Sequence, residues 1–326
     1  MIAPRTRLRI LSGPEIYDAA LQSARDELVW VDIVDPHSGE LNWLERTFGF
    51  HQLALEDVER QHQRPKLDTF PGYYFGVLYA VRIHPQRRRA SASELQFFWG
   101  HNYLVTIHRE PFPEIDELES RARDGLLTPV VKSTEREFEI PDLVYRLIDA
   151  VVDGYFPAVD ALSEWTDDIE ERLFSADRNP ELLQSMFGIR RDLIRLRKVL
   201  APSREVINVV LRRHQDLFGD EFYAYFQDVY DHTVRVIDSL DTCRDLLSSA
   251  LETYLTVLSN DVNQTVKKMT AVTAILMVNS LIAGIYGMNF EYIPELSWRF
   301  GYVWALSLMA VASLVLWGVF KRIRWL

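Results

Sequence analysis

Residues Met269–Phe290 read MTAVTAILMVNSLIAGIYGMNF and residues Phe300–Phe320 read FGYVWALSLMAVASLVLWGVF, with no charged side chain in either run. Each run is about 20 residues long, the length that crosses roughly 30 Å of hydrocarbon at 1.5 Å rise per residue. Two buried helices of a soluble core would carry polar faces between them. Their absence predicts a membrane hairpin: a first span at 269–290, an external loop at 291–299, a second span at 300–320 and a basic cytosolic tail at 321–326. Lys267 and Lys268 stand before the first span, and Lys321, Arg322 and Arg324 follow the second. The loop holds Glu291 and Glu295 against Arg299. Basic flanks stay on the cytosolic side, so both termini are expected in the cytoplasm, with the protein in the cell (inner) membrane as a multi-pass chain. Trp298, Tyr302, Trp304, Trp317 and Trp325 mark the ends of the second span, as interfacial aromatics do.

The spans differ in chemistry. The second is Leu, Val, Ala and Trp with Ser307 and Ser313 as polar interruptions, and suits contact with lipid. In the first, positions 263, 266, 270, 273, 277, 280, 284 and 287 advance by alternating threes and fours, which places them on one helical face. That face reads Asn263, Val266, Thr270, Thr273, Met277, Ser280, Gly284 and Gly287. Small, mildly polar side chains at this spacing have two explanations: close helix packing in lipid, or the lining of a wet pore. One helix cannot enclose a pore, so the second explanation requires an oligomer. In it, Ser280 and Met277 form successive rings, Met269 or Thr270 another near the inner surface, and Asn263 a polar ring below the membrane. An apolar Met ring in a narrow pore would gate by dewetting.

Outward from the hairpin lies a water-soluble body. A net charge of −11 over 326 residues disfavours nucleic acid, which needs clustered Lys and Arg, and suits cations. Cys243 is the sole cysteine, so neither an intrachain disulfide nor a thiolate metal site can form. Met1–Ile10 holds three Arg and no apolar run, and is not expected to act as a signal peptide. Residues 1–135 alternate strand and helix signals: strands at 28–34, 73–83, 94–99 and 103–108, helices at 39–48 and 52–61, and a hairpin turn at Gly100-His101-Asn102. This predicts a cytosolic α/β domain with a partly antiparallel sheet. Residues 136–268 read as a helical stalk domain. One helical stretch spans 141–174 with an interruption at Pro157. A second opens at Asn179-Pro180-Glu181 and runs towards Phe218 with a kink at Pro202. A third begins near Asp220 and meets no Pro or Gly before Gly284, which gives one helix of about 70 residues, about 105 Å, if it continues to Asn289. The fold class is therefore an α+β membrane protein in which the stalk continues into the first span. Arg87-Arg88-Arg89 is expected to be a solvated loop.

At the outer end of the first span stand Tyr286-Gly287-Met288-Asn289, Phe290-Glu291-Tyr292 and Pro294-Glu295-Leu296. A Gly-Met-Asn triplet ending the first of two C-terminal spans, with an acidic loop and a basic tail, resembles the CorA family of divalent-cation channels. Leu55-Glu56-Asp57, His62-Gln63-Arg64-Pro65-Lys66, the stretch from Leu147 to Phe156 and Tyr225-Phe226-Gln227-Asp228-Val229-Tyr230-Asp231-His232 extend the likeness over most of the chain. The resemblance implies a homopentameric funnel with the first span around a central pore. It also implies Mg²⁺ and Co²⁺ as the ions carried and Gly287, Met288 and Asn289 as the selectivity filter.

The residue types fit that cargo. Mg²⁺ dehydrates reluctantly, and a ring of carboxylates would hold the bare ion too tightly to release it. Asn289 amides, or carbonyls freed where Gly287 ends the helix, can hydrogen-bond the ion's water shell instead. Glu291 and Glu295 would concentrate cations at the mouth. The resemblance further implies that cytosolic Mg²⁺, bound by acidic residues between subunits, holds the pore closed, with Asp228, Asp231 and Glu252 as candidate ligands and no other cofactor. His84 stands where the family often supplies a carboxylate, and would favour a softer metal. Glu56, Asp57 and Glu59, and the acidic run Glu164, Asp167, Asp168, Glu170 and Glu171, read as solvated helix faces or as metal ligands. A zinc-selective relative, a hairpin-anchored metalloenzyme and a tethered scaffold are the alternatives. No Gly-rich phosphate loop suggests a pump, and no His-Glu-x-x-His or nucleophile elbow supports an enzyme.

Overall fold

A computed structural model describes residues 8–12, 27–131, 137–174, 180–213, 217–289 and 294–325. The chain forms two compact units, Met1–Ser249 and Ala250–Leu326.

The first unit is organised by a six-stranded mixed sheet in the order β1-β2-β6-β5-β4-β3. Its strands are β1 (Leu8–Ser12), β2 (Leu28–Val34), β3 (Lys66–Phe70), β4 (Tyr73–His84), β5 (Arg89–Trp99) and β6 (Tyr103–His108). β1, β2 and β6 run parallel, while β6-β5, β5-β4 and β4-β3 pair antiparallel. The expected hairpin turn at 100–102 joins β5 to β6, where Gly100 N–H donates to the Tyr103 carbonyl at 3.0 Å. The central strands are buried on both faces, and so read as apolar runs rather than as alternation. Gly76 is paired with Phe97, and a Cβ there would lie 2.4 Å from the Phe97 ring, so only glycine lets the ring cross that strand. The edge strands β1 and β3 were not expected from the sequence. β3 reads Lys-Leu-Asp-Thr-Phe and none of its residues is fully buried, so it carries little apolar signal.

Helices α1 (Ser38–Phe48) and α2 (Gln52–Glu59) connect β2 to β3. α1 opens on a capping box, with the His37 N–H donating to Glu40 Oε2 at 3.0 Å, and ends at Gly49 in the left-handed region (φ 71°). Between the two helices Phe50 enters the core and stacks on Phe98 with ring centroids 4.1 Å apart. α3 (Pro113–Arg123), α4 (Ile140–Asp153), α5 (Tyr155–Phe174) and α6 (Pro180–Arg212) follow, with α5 and α6 packing on the sheet. Tyr155, fully buried, donates its hydroxyl to the Tyr79 carbonyl at 2.7 Å and so ties α5 to β4.

Three helical expectations change. The interruption in the 141–174 stretch falls at Gly154, not at Pro157. Pro157 occupies the first turn of α5, where a missing N–H costs no helical bond. α6 stops at Arg212 and passes through Pro202 as one helix. The third helix, α7, is preceded by a 3-10 turn at Asp220–Phe222 and spans Tyr223–Tyr286, 64 residues. The arginine run is not simply solvated. Arg88 pairs with Asp168 of α5, and Arg89 forms a two-point ion pair with Asp192 of α6 at 2.6 and 2.8 Å. Asp192 also accepts the Ala90 N–H at 3.0 Å, so this buried carboxylate is fully committed.

In the second unit the continuation of α7 from Ala250 is followed by a short 3-10 turn, Pro294–Ser297, and by α8 (Gly301–Arg322). α7 and α8 are both long and apolar enough to cross a membrane, and almost none of either apolar segment is buried.

Candidate functional site

The two sides of α7 within the second unit differ. Ala271 is buried, and Ala274, Ile275, Val278, Asn279, Ile282 and Tyr286 are half-buried, all on one side. On that side the Asn279 amide nitrogen donates to Ser313 Oγ of α8 at 2.9 Å, and the Ser313 hydroxyl lies 3.2 Å from the Asn279 amide oxygen. Ala305, Met309, Ala312, Leu316 and Phe320 are the half-buried positions of α8 around Ser313. The other side of α7 carries Asn263, Met269, Thr270, Thr273, Met277, Ser280 and Gly284, every one exposed. Thr270 turns its hydroxyl back onto the Val266 carbonyl at 2.8 Å, which removes a donor from that face without removing its oxygen.

α7 ends at Tyr286. The Gly287 N–H still donates to the Ala283 carbonyl at 2.9 Å, and Met288 N–H reaches only Ile285 at 3.3 Å. Asn289 is past the helix and exposed. Glu291 lies outside the described residues. Glu295 belongs to the 3-10 turn that precedes α8, and the turn closes tightly on the helix. A Cβ on Gly301 would sit 2.0 Å from the Glu295 carbonyl oxygen, so no other residue fits there. At the far end of α8, Lys321 lies over the Trp317 ring at 4.7 Å, an aromatic–cation pairing suited to a membrane interface.

In the first unit, Asp228 of α7 meets α4. His232 Nε2 is 3.7 Å from Asp228, and its Nδ1 stands 3.3 Å from Asp153 at ion-pair distance without hydrogen-bond alignment. Asp149, one turn before Asp153, hydrogen-bonds Tyr145. Burial, and then the charges of Asp153 and Asp228, push its carboxyl up to about 6. The Tyr145 phenol is likewise raised, by burial and by the Asp149 charge. Asp231 faces away, accepting from Gln227 at 3.0 Å. Glu252 is exposed. Among the described residues, no three His, Cys, Asp or Glu side chains of the chain are placed to hold a metal by themselves. His84 is engaged with Ser91 Oγ at 3.0 Å, and Glu56 and Asp57 are paired with Arg60 and Lys66.

A family model described as "CorA-like Mg2+ transporter protein" matches residues 25–322. The chain belongs to the CorA family. It is 33% identical over 298 residues to the cobalt/magnesium transport protein CorA of Thermotoga maritima, an alignment covering 91% of this chain and 83% of that one. The complete structure of the CorA magnesium transporter from Methanocaldococcus jannaschii superposes with a TM-score of 0.80 at 25% identity, covering 93% of both chains. The cytoplasmic domain of ZntB from Vibrio parahaemolyticus shares the fold alone, with a TM-score of 0.57 at 9% identity over 71% of this chain and 88% of that one. The fold class expected from the sequence is thus that of the CorA structure, an α/β soluble part with a long helix and two C-terminal apolar helices. Membership places the chain among transporters rather than enzymes.

The sequence located the triplet at the helix end and the exposed polar face of α7. It did not locate Asp149 or Asp153. Their approach to Asp228 depends on α4 lying against α7, and no spacing along the chain encodes that contact.

Proposed function

We propose that the chain is a homopentameric channel in the inner membrane that carries Mg²⁺, and Co²⁺ with it, into the cell down the membrane potential. The observation that supports this reading best is the division of α7. One side carries the Asn279–Ser313 pair to α8, and the opposite side presents Thr270, Thr273, Met277, Ser280 and Gly284 unpaired with any helix of the chain. A polar, small-residue face left exposed in hydrocarbon is costly unless other copies or water cover it. Five such faces around an axis would leave Gly287, Met288 and Asn289 as a ring at the outer mouth. There the backbone carbonyls and the Asn289 amide meet a hydrated ion without stripping its shell. Met269 and Met277 would supply apolar constrictions, Asn263 a polar ring below the membrane, and Glu291 and Glu295 a cation-rich entrance. Both termini then lie in the cytoplasm.

Closure by cytosolic Mg²⁺ follows from the acidic meeting of α4 and α7. Asp149, Asp153 and Asp228 are hard oxygen donors, and the Asp149 carboxyl, raised first by burial and then by the Asp153 and Asp228 charges, would be relieved of the latter by a divalent cation. Asp228 and Asp153 are each more than half exposed, and so are open to complete a site with a neighbouring copy. Potential-driven Mg²⁺ uptake into proteoliposomes, compared between wild type and Asn289→Ala at matched incorporation, tests the reading. Loss of roughly tenfold or more of the flux in the variant is expected. Equal flux in both would remove Asn289 from the filter, and no flux of any divalent ion would remove the channel. Asp228→Ala is expected to raise the internal Mg²⁺ needed to stop uptake.

A further inference from the structure

Arg64 and Lys66, where the chain enters β3, form one wall of a cleft of about 750 Å³, and α6 forms the other with Arg197 and Lys198. Four cationic side chains thus gather in a protein of net charge −11. Their commitments differ. Lys66 is held by Asp57 and Asp68, each at 2.6 Å. Arg197 spends Nε and Nη2 on Asp241 of α7, at 2.6 and 3.2 Å, which leaves both hydrogens of Nη1. Arg64 and Lys198 are exposed and have no ion partner among the described residues. Glu205, the one carboxylate of the described lining, is turned to Arg212 at 2.9 Å. One end of the cleft is therefore an unfilled acceptor of negative charge.

The other end is apolar, with the half-buried Ala201, Pro202 and Val209 on its walls. Pro202 adds a second feature. It lies inside α6 and puts a rigid ring on the stretch of helix that lines the cleft. The cleft thus combines a multiply cationic end with an apolar wall, at a volume within the roughly 300–1,000 Å³ usual for small-molecule sites. An inorganic anion would use the first of these and leave the rest.

We propose that this cleft binds a nucleoside polyphosphate, with the phosphates on Arg64, Lys198 and the free edge of Arg197. The base lies against the Ala201 and Pro202 wall. No Gly-rich phosphate loop accompanies the site, so the nucleotide is held rather than hydrolysed. A phosphate at Arg197 shares that side chain with Asp241, so occupancy bears directly on the contact between α6 and α7. The inference stands apart from the transport reading, since it requires only the soluble unit's own surface.

Calorimetric titration of the full chain in detergent, in Mg²⁺-free buffer, with ATP, tripolyphosphate and adenosine separately, tests it. Saturable ATP binding is expected, weakened roughly tenfold or more in Arg64→Ala/Lys198→Ala, because each charged hydrogen bond to phosphate is worth about that factor. Tripolyphosphate is expected to bind several-fold more weakly than ATP, and adenosine more weakly still. Both substituted side chains are exposed, so the variant should keep the wild-type unfolding curve, which is measured alongside. Absence of saturable binding at millimolar ATP, or ATP binding unchanged in the double variant, overturns the site. Tripolyphosphate binding as tightly as ATP overturns the nucleoside part and with it the proposal.

Discussion

The sheet of the first unit and the α7–α8 hairpin of the second use the same residue types in opposite ways. Around β4, β5 and β6, Phe75, Phe97, Phe98 and Leu104 are sealed from solvent, and the buried Thr106 and His108 are hydrogen-bonded to Asp32. In the hairpin, Met277, Leu281, Leu314 and Val315 are more than half exposed, while the internal contact is made by an amide and a hydroxyl. In water, apolar area is what holds helices and sheets together. In lipid, tails are as apolar as leucine, so packing and hydrogen bonds between helices must do so. An apolar stripe therefore marks the interior of the first unit. In the second, the informative stripe is the polar one.

The largest effect that could break this comparison comes from truncation at matched residue size. Phe98→Ala empties a site that stacks on both Phe50 and Phe75, and is expected to cost about 3–5 kcal/mol. Urea unfolding of the full chain followed by tryptophan fluorescence should show the loss in the soluble transition. Leu314→Ala removes a comparable apolar side chain from α8 and is expected to change hairpin stability in bilayers by less than about 0.5 kcal/mol. A large loss in the second variant would mean that Leu314 meets protein, not lipid.

This difference also decides what was legible beforehand. The spans and the polar face of α7 could be read because membrane thickness and helical period are local rules that one segment obeys alone, and the triplet 287–289 was legible through its resemblance to the CorA family. β4, β5 and β6 could be read because their apolar density is high. β1 and β3 could not, since an edge strand is held by backbone bonds to a neighbour that the sequence does not name. The break at Gly154 was misplaced onto Pro157 because proline disrupts a helix only beyond its first turn. Arg88 and Arg89 looked like a solvated run because Asp168 and Asp192 are about 80 and 100 residues away in sequence. The Asp149–Asp153–Asp228 meeting was hidden for the same reason.

Titration sharpens the comparison next, because the spans hold no charged group and only the soluble unit should respond to pH. Asp149 has a folded-state value of about 6 against 3.8 unfolded, so the folded chain binds its proton more tightly. The resulting penalty is absent below the unfolded value, grows as pH rises between the two, and is complete above about 6. Asp149→Asn is thus expected to stabilise the soluble unit near pH 7 by about 1–2 kcal/mol, discounted for partial exposure, with the gain fading towards pH 4. Mg²⁺ should stabilise the wild type more than this variant.

His108 responds in the other sense. Burial alone would lower its value, but the hydrogen bond and charge of Asp32, with Nε2 to Oδ2 at 3.2 Å, and the Glu110 carbonyl at 2.6 Å outweigh it and raise the imidazolium. The charged form is favoured by folding. Its contribution is complete below the unfolded value of 6.5 and is lost as pH rises through the higher folded value. His108→Gln should flatten that limb, read as a smaller change in urea midpoint between roughly pH 6 and pH 8.

The smallest effect tests the hairpin's own adhesive. Asn279→Ala leaves Ser313 with a backbone acceptor one turn away on its own helix, and Ser313→Ala leaves Asn279 with a backbone acceptor one turn away on α7. Each single loss is therefore expected to be modest, about 0.6–1.7 kcal/mol. The quantity that matters is the coupling. In a double-mutant cycle read by steric-trap or denaturant unfolding in bilayers, the pair should lose less together than the sum of the single losses, by about 0.5 kcal/mol or more. Additive losses would mean that the two side chains do not meet in the membrane. The division of α7 into a side facing α8 and an exposed polar side would then lose its anchor, because Asn279 and Ser313 make the hydrogen-bonded contact between the two helices.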